Sequence, residues 1–116
     1  MERGPLVGKI SEYISIRKKG IVEREVNVQD MSFSNLRDAI IGVGKILEED
    51  FEISTYVVDI PAGAANMNSA VVAIRLNNSC VSIIGYAKEG LINQHTAKKA
   101  IDKVIERISK YTITMV

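Results

Sequence analysis

The sequence predicts an α+β fold: a mainly antiparallel sheet, elements in the order β-β-α-β-β-β-α, and both helices on one face. Three observations lead there. Several stretches alternate apolar and polar residues or are apolar throughout, two stretches space their apolar residues as helices do, and all strand links but one are short enough for hairpins. With 116 residues, the chain is expected to form a single domain, 1–116.

The first element is residues 6–17. Ile10, Ile14 and Ile16 alternate with Lys9, Ser11, Ser15 and Arg17, the period of a half-buried strand. A basic turn at residues 17–20 ends in Gly20, and Val22, Val26 and Val28 then alternate with Glu23, Glu25, Asn27 and Gln29. These two stretches are expected to pair as a hairpin with one wet face. Ser32 or Ser34 is then positioned to cap a helix reaching about Asp50, with Leu36, Ile40, Val43 and Leu47 on one face. Gly42 and Gly44 fall inside it, each at a cost of roughly 1 kcal/mol relative to Ala, and suggest close approach of another backbone.

Residues 51–60 (FEISTYVVDI) are β-branched and aromatic and are expected to be a strand ending at Pro61. A loop of small residues follows at 61–69. Residues 70–76 and 80–87 are apolar at nearly every position and predict central strands, joined by Asn77-Asn78-Ser79 in a tight hairpin. Gly85 marks a bulge or a close approach. Asn93 or Thr96 caps a second helix to about Lys110, with Ala97, Ile101, Val104 and Ile108 on its apolar stripe. The tail, residues 112–116, is β-prone and is expected to add an edge strand in this chain or a partner's.

Composition excludes several classes. Lys and Arg total 15 against 14 Asp and Glu, which leaves no basic surplus for a nucleic-acid binder and weighs against such a role for Arg17, Lys18 and Lys19. Aromatics are only 5%, so the core is aliphatic and no rings are spare for stacking bases or sugars. One cysteine, Cys80, and one histidine, His95, rule out an internal disulfide and a Cys/His zinc site, and no cofactor-binding motif occurs. Cys80 opening an apolar strand reads as a small buried hydrophobe rather than a nucleophile. No stretch approaches the ~20 apolar residues of a membrane span, and the opening Met1-Glu2-Arg3-Gly4-Pro5 lacks a leader's apolar run. A cytoplasmic chain with no membrane partner is expected.

The strand ending at Ile60 and the strand ending at Ala87 should point the same way, because the strand between them is antiparallel to both. The loops 61–69 and 88–95 would then share one end of the sheet, beside the N-terminus of the second helix, where free N–H groups favour an anion. Gly63, Asn66, Asn68, Lys88, Glu89, Gln94 and His95 are the candidate ligand-binding residues, with Asp59 near them. The plainer reading is that the Asn residues serve turns and caps and that His95 is a surface residue.

Residues 51–108 also resemble the C-terminal regulatory and dimerisation domain of isopropylmalate and citramalate synthases. The likeness lies in the succession FEISTYVVDI, PAGAANMNS, AVVAIRLN, a strand ending IIGYAKEG, and the helix NQHTAKKAIDKVIERI. That family binds a branched amino acid or related acid near its dimer interface, and the resemblance implies that loops 61–69 and 88–95 face a ligand. It departs where the family's glycine-rich turn before its first helix is replaced by Gln29-Asp30-Met31-Ser32.

The function expected is a small non-enzymatic regulatory or ligand-sensing domain, a homo-oligomer, that binds an amino or organic acid at the 61–69/88–95 end. The alternatives are a structural or protein-interaction oligomer, and a small oligomeric enzyme using Glu89 and His95 as acid and base.

Overall fold

The structure is a computed structural model that describes residues 3–17, 19–90 and 92–115. Its elements are α1 (Arg3–Ser11), β1 (Val22–Asn27), α2 (Phe33–Ile40), β2 (Lys45–Asp50), β3 (Thr55–Ala62), a 3-10 turn (Ala64–Asn66), β4 (Asn68–Asn77), β5 (Cys80–Tyr86) and α3 (Thr96–Met115). The five strands form one sheet in the order β1-β5-β4-β3-β2, and every neighbouring pair is antiparallel. The α+β class and the mainly antiparallel sheet are as expected. The order of elements is not.

Alternation along the strands divides the side chains between two apolar layers. Val58, Ile60, Val72, Ile74, Val81 and Ile83 meet Leu36, Ile40, Ala100, Ile101, Val104 and Ile108, so α2 and α3 cover one face together. Ile101 also closes over Gly85, where an added Cβ would sit 3.1 Å from its Cδ1. On the opposite face, Val57, Val71, Ala73, Ile84 and Tyr86 pack against Leu6 and Ile10 of α1, with Ile14, Ile16 and Ile21 beside them. A third helix thus covers the face expected to be wet.

That helix corrects the first expectation. Residues 6–17 form no strand, and no hairpin joins them to 20–29; β1 pairs with β5 instead, from Val22 opposite Gly85 to Asn27 opposite Cys80. The cause is a coincidence of periods. Leu6, Ile10 and Ile14 are four apart, a spacing that satisfies both a strand's alternation and one helix face. The helix brings Leu6 and Ile10 to 0% exposure on a sheet face that would otherwise leave large apolar side chains in water.

The second correction concerns residues 33–50, where the expected helix stops at Ile40 and the chain turns into β2. Ser32 is the cap: its hydroxyl accepts the N–H of Asn35 at 3.0 Å, and the Asn35 side chain accepts the N–H of Ser32. Gly42 and Gly44 belong to the turn. A Cβ on Gly44 would lie 2.2 Å from the Asp59 carbonyl oxygen, so the close backbone approach inferred from the glycines is present, between strands rather than inside a helix. Ile46 packs in one apolar layer and Leu47 in the other, as successive strand residues do, and a bulge interrupts the pairing with β3 between Ile46 and Glu48.

Residues 51–54 are a turn rather than the start of a strand: the Asp50 carboxylate accepts the N–H of Glu52 and Ser54 takes φ 48°. The strand then runs on through Pro61 to Ala62. Over residues 112–115 the expected edge strand is replaced by helix, because α3 continues to Met115. Met1, Glu2, Lys18 and Val116, which fall in the expected N-terminal, hairpin-turn and tail segments, lie outside the described residues. No helix among the described residues is long and apolar enough to cross a membrane.

Candidate functional site

β3 and β5 both run antiparallel to β4, so their ends at Ala62 and Tyr86 lie at the same edge of the sheet and bring the loops 61–69 and 88–95 together. The loops touch through named hydrogen bonds. Asn68 donates from Nδ2 to the Lys88 carbonyl at 2.9 Å and to the Thr96 hydroxyl at 3.1 Å. The N–H of Ala64 donates to the Gln94 Oε1 at 3.0 Å. Gly63, at φ 80°, lies under that amide, where a Cβ would come within 2.6 Å of the same oxygen.

Glu89 completes the junction. Its carboxylate accepts the N–H of Thr96 at 2.8 Å and the N–H of Gln94 at 3.3 Å, and the Thr96 hydroxyl also bonds to it. Partial burial pushes the carboxyl upward, but those hydrogen bonds and the nearby His95 outweigh it and hold Glu89 below the usual carboxylate range. The helix N-terminus expected to await an anion is therefore occupied by an anion of the chain itself. Thr96, at 0% exposure, is the hub of the network.

The other candidates sit around this hub. Asn66 takes φ 57° at the end of the 3-10 turn, and its Oδ1 accepts Lys103 Nζ at 2.7 Å. His95 is exposed at φ 54°, with its N–H donated to the Asn93 Oδ1 at 2.8 Å. Lys88 is exposed. Asp59 lies within β3 opposite Val71, outside the network. The fold thus joins Asn68, Glu89 and Gln94 through Thr96 into one hydrogen-bonded unit, packs Gly63 against the Gln94 amide, and leaves Lys88 and His95 exposed.

Two hollows flank Glu89. One, about 330 Å³, is lined by Ser15, Ile16, Arg17, Tyr86, Lys88 and Glu89. The other, about 100 Å³, lies toward β1 and the first turn of α3 and includes His95 and Lys98. Since the Glu89 carboxylate is turned to the α3 amides, the larger hollow presents the two cations Arg17 and Lys88 with no free carboxylate of its own. Sequence reasoning missed Ser15 and Arg17 because it placed them on a hairpin; only the helix–sheet packing of α1 swings this segment over Tyr86. Thr96 was visible as a cap candidate, but nothing in the sequence marks it as the buried hub.

Cys80 stands at the opposite end of β5, where its thiol donates to Glu25 at 3.7 Å. Burial, and then the Glu25 charge, push it upward, which disfavours the thiolate. Among the described residues no group of three His, Cys, Asp or Glu side chains could hold a metal ion. Set beside protein families, curated proteins and solved structures, the chain matches none of them.

Proposed function

We propose that this chain is a non-catalytic ligand-sensing domain that binds a small organic anion, an amino or keto acid, at the loop end. The observation that carries the reading is the 330 Å³ hollow whose lining includes Arg17 and Lys88, while the Glu89 carboxylate beside them is taken up by the helix amides. The guanidinium supplies a planar fork for a carboxylate, and Lys88 supplies a second charge. Behind Lys88 the Asn68–Thr96–Glu89–Gln94 network fixes the two loops, which preorganises that side of the hollow. The resemblance of residues 51–108 to a regulatory domain that senses branched acids supports the same ligand class.

The experiment is thermal unfolding of the full chain against a panel of amino and keto acids. A true ligand at a hundred times its Kd should add about 2.7 kcal/mol. For a domain of this size that is a rise on the order of 10 °C. Arg17→Ala and Lys88→Ala should each abolish the rise; a panel in which no acid stabilises the protein sinks the proposal.

A second reading, assembly of copies in the cytoplasm as a homo-oligomer, is favoured by the α2–β2 corner. There the edge strand β2 is flanked by Ile41 at 51% exposure and Phe51 at 76%. Sedimentation mass of the wild type and of Ile41→Glu tests it, with a monomer in both counting against assembly.

A further inference from the structure

We infer that the groove between α3 and the turn at residues 41–44 is a binding site for a phosphate-class oxyanion, independent of the organic-acid site proposed above. The groove, about 250 Å³, is lined by Gly42, Val43, Lys103, Glu106, Arg107 and Lys110. Lys103, Arg107 and Lys110 are spaced four and three apart on α3, which puts the three cations on one face of the helix. Against them the groove holds one carboxylate, Glu106, and that group is bonded to Lys110 at 2.9 Å.

What distinguishes Lys103 and Arg107 is the company they keep. Lys9, Arg37 and Lys98 are each paired with a carboxylate. Lys103 instead donates to two neutral oxygens, the Pro61 carbonyl at 2.6 Å and Asn66 Oδ1 at 2.7 Å. Arg107 donates from Nε to the Ala39 carbonyl at 3.3 Å. Neutral acceptors hold these cations in place without cancelling their charge, so the groove is both preorganised and positive.

Gly42 is part of the device. An added Cβ there would lie 2.6 Å from Arg107 Nη2. The guanidinium therefore packs closely against the turn beside the groove, and a side chain at Gly42 would displace its end; a guanidinium in that place offers a fork suited to two oxygens of one tetrahedral anion. Lys103 and Arg107, beside a Lys110 that is shared with Glu106, leave a net positive groove that favours a polyvalent anion over a single carboxylate. Asp38 borders the adjoining hollow with Arg107 and Lys110 and opposes the site from the α2 side.

The test is titration of the full chain with inorganic pyrophosphate at low ionic strength, followed by calorimetry and by amide chemical shifts, with sodium chloride at matched ionic strength as the reference. Pyrophosphate should bind and shift amides at residues 41–44 and along the middle of α3. Lys103→Gln and Arg107→Gln should each weaken binding at least tenfold, Lys98→Gln should leave it unchanged, and Asp38→Asn should tighten it several-fold. Because Arg107 also bonds α2, Gly42→Ala and Arg107→Lys provide second variants, both expected to weaken binding with circular dichroism preserved. Equal shifts with chloride, or unchanged affinity in Lys103→Gln, would overturn the inference. Loss of pyrophosphate binding in Arg17→Ala with retention in Lys103→Gln would assign the anion to the loop-end hollow instead.

Discussion

The Glu89 carboxylate accepts the backbone N–H of Thr96 at 2.8 Å, reaching across seven residues to close the first turn of α3. The bond does two things at once. It satisfies a helix N-terminal donor, and it fastens the chain after β5 to the helix that covers the sheet.

Replacing Glu89 with Gln should therefore cost about 1 kcal/mol, the usual worth of a helix cap. The pH dependence has a definite sign. The folded pKa of Glu89 is depressed, so its contribution is fully present above the unfolded carboxylate value of about 4.3 and is lost as pH falls through the lower folded value. Urea unfolding from pH 7 down to pH 3 should show a steeper loss for the wild type than for Glu89→Gln, with the two curves drawing together at the acid end. Parallel curves would remove Glu89 from the account of acid stability.

Gly44→Ala tests the β2–β3 approach. The new methyl would meet the Asp59 carbonyl oxygen at 2.2 Å and the Ile60 Cα at 3.0 Å, backbone atoms of an interior strand that cannot step aside. The loss should reach the upper end of overpacking costs, about 3 kcal/mol. Gly8→Ala in α1 should do the opposite. Nothing lies within 4 Å of a Cβ there, so the variant should gain about 0.5–1 kcal/mol from helix propensity alone. Denaturant midpoints of the two variants should move in opposite directions.

These two glycines also show what the sequence could and could not tell. Strands β4 and β5 were legible because residues 70–76 and 80–87 are apolar on both faces, and Asn78, at φ 50°, makes the turn its type suggests. From their directions it followed that loops 61–69 and 88–95 meet. The α2–β2 boundary was not legible, since Leu36, Ile40, Val43 and Leu47 keep helical spacing straight through Gly42 and Gly44. The chain past Ile40 pairs with β3 instead, and that partner lies elsewhere in the chain. The tail failed for a similar reason: β-propensity at residues 112–115 is worth only tenths of a kcal/mol and yields to continuation of α3. At the loop end, the role of Glu89 as an internal anion depends on a reach that no short motif encodes.

Cys80 should be slow to react. Its thiol is pushed upward by burial first and by the Glu25 charge second, so less thiolate is present at neutral pH than on an ordinary cysteine. Iodoacetamide alkylation at pH 7.5 should run more slowly than with a short unstructured cysteine peptide. Glu25→Gln should speed it up by removing both the charge and the acceptor held at 3.7 Å. An unchanged rate in that variant would leave burial as the whole cause.

The attachment of α1 offers the most local prediction. Its nine residues include Gly4, Pro5 and Gly8, a poor composition for an isolated helix, so it persists through what it touches. Leu6 and Ile10 supply the apolar anchor. Lys9 supplies the polar one, bonded to Glu48 and held 3.0 Å from Asp50, while the Tyr13 hydroxyl donates to Glu48 at 2.8 Å. The hydrogen bond from Lys9 is the main reason that Glu48 and Asp50 lie below the usual carboxylate range, and the bonds to Glu48 and Asp50 raise Lys9. The carboxylates contribute above their unfolded pKa and lose that contribution as pH falls through their lower folded values. Lys9 contributes below its unfolded pKa and loses its part only as pH climbs through a still higher folded one. The clamp is therefore complete at neutral pH and opens on the acid side. Hydrogen exchange should show α1 amides losing protection on acidification before those of β4, and Lys9→Gln should reproduce that loss at pH 7. Full protection of α1 in Lys9→Gln would mean that Leu6 and Ile10 hold the helix unaided.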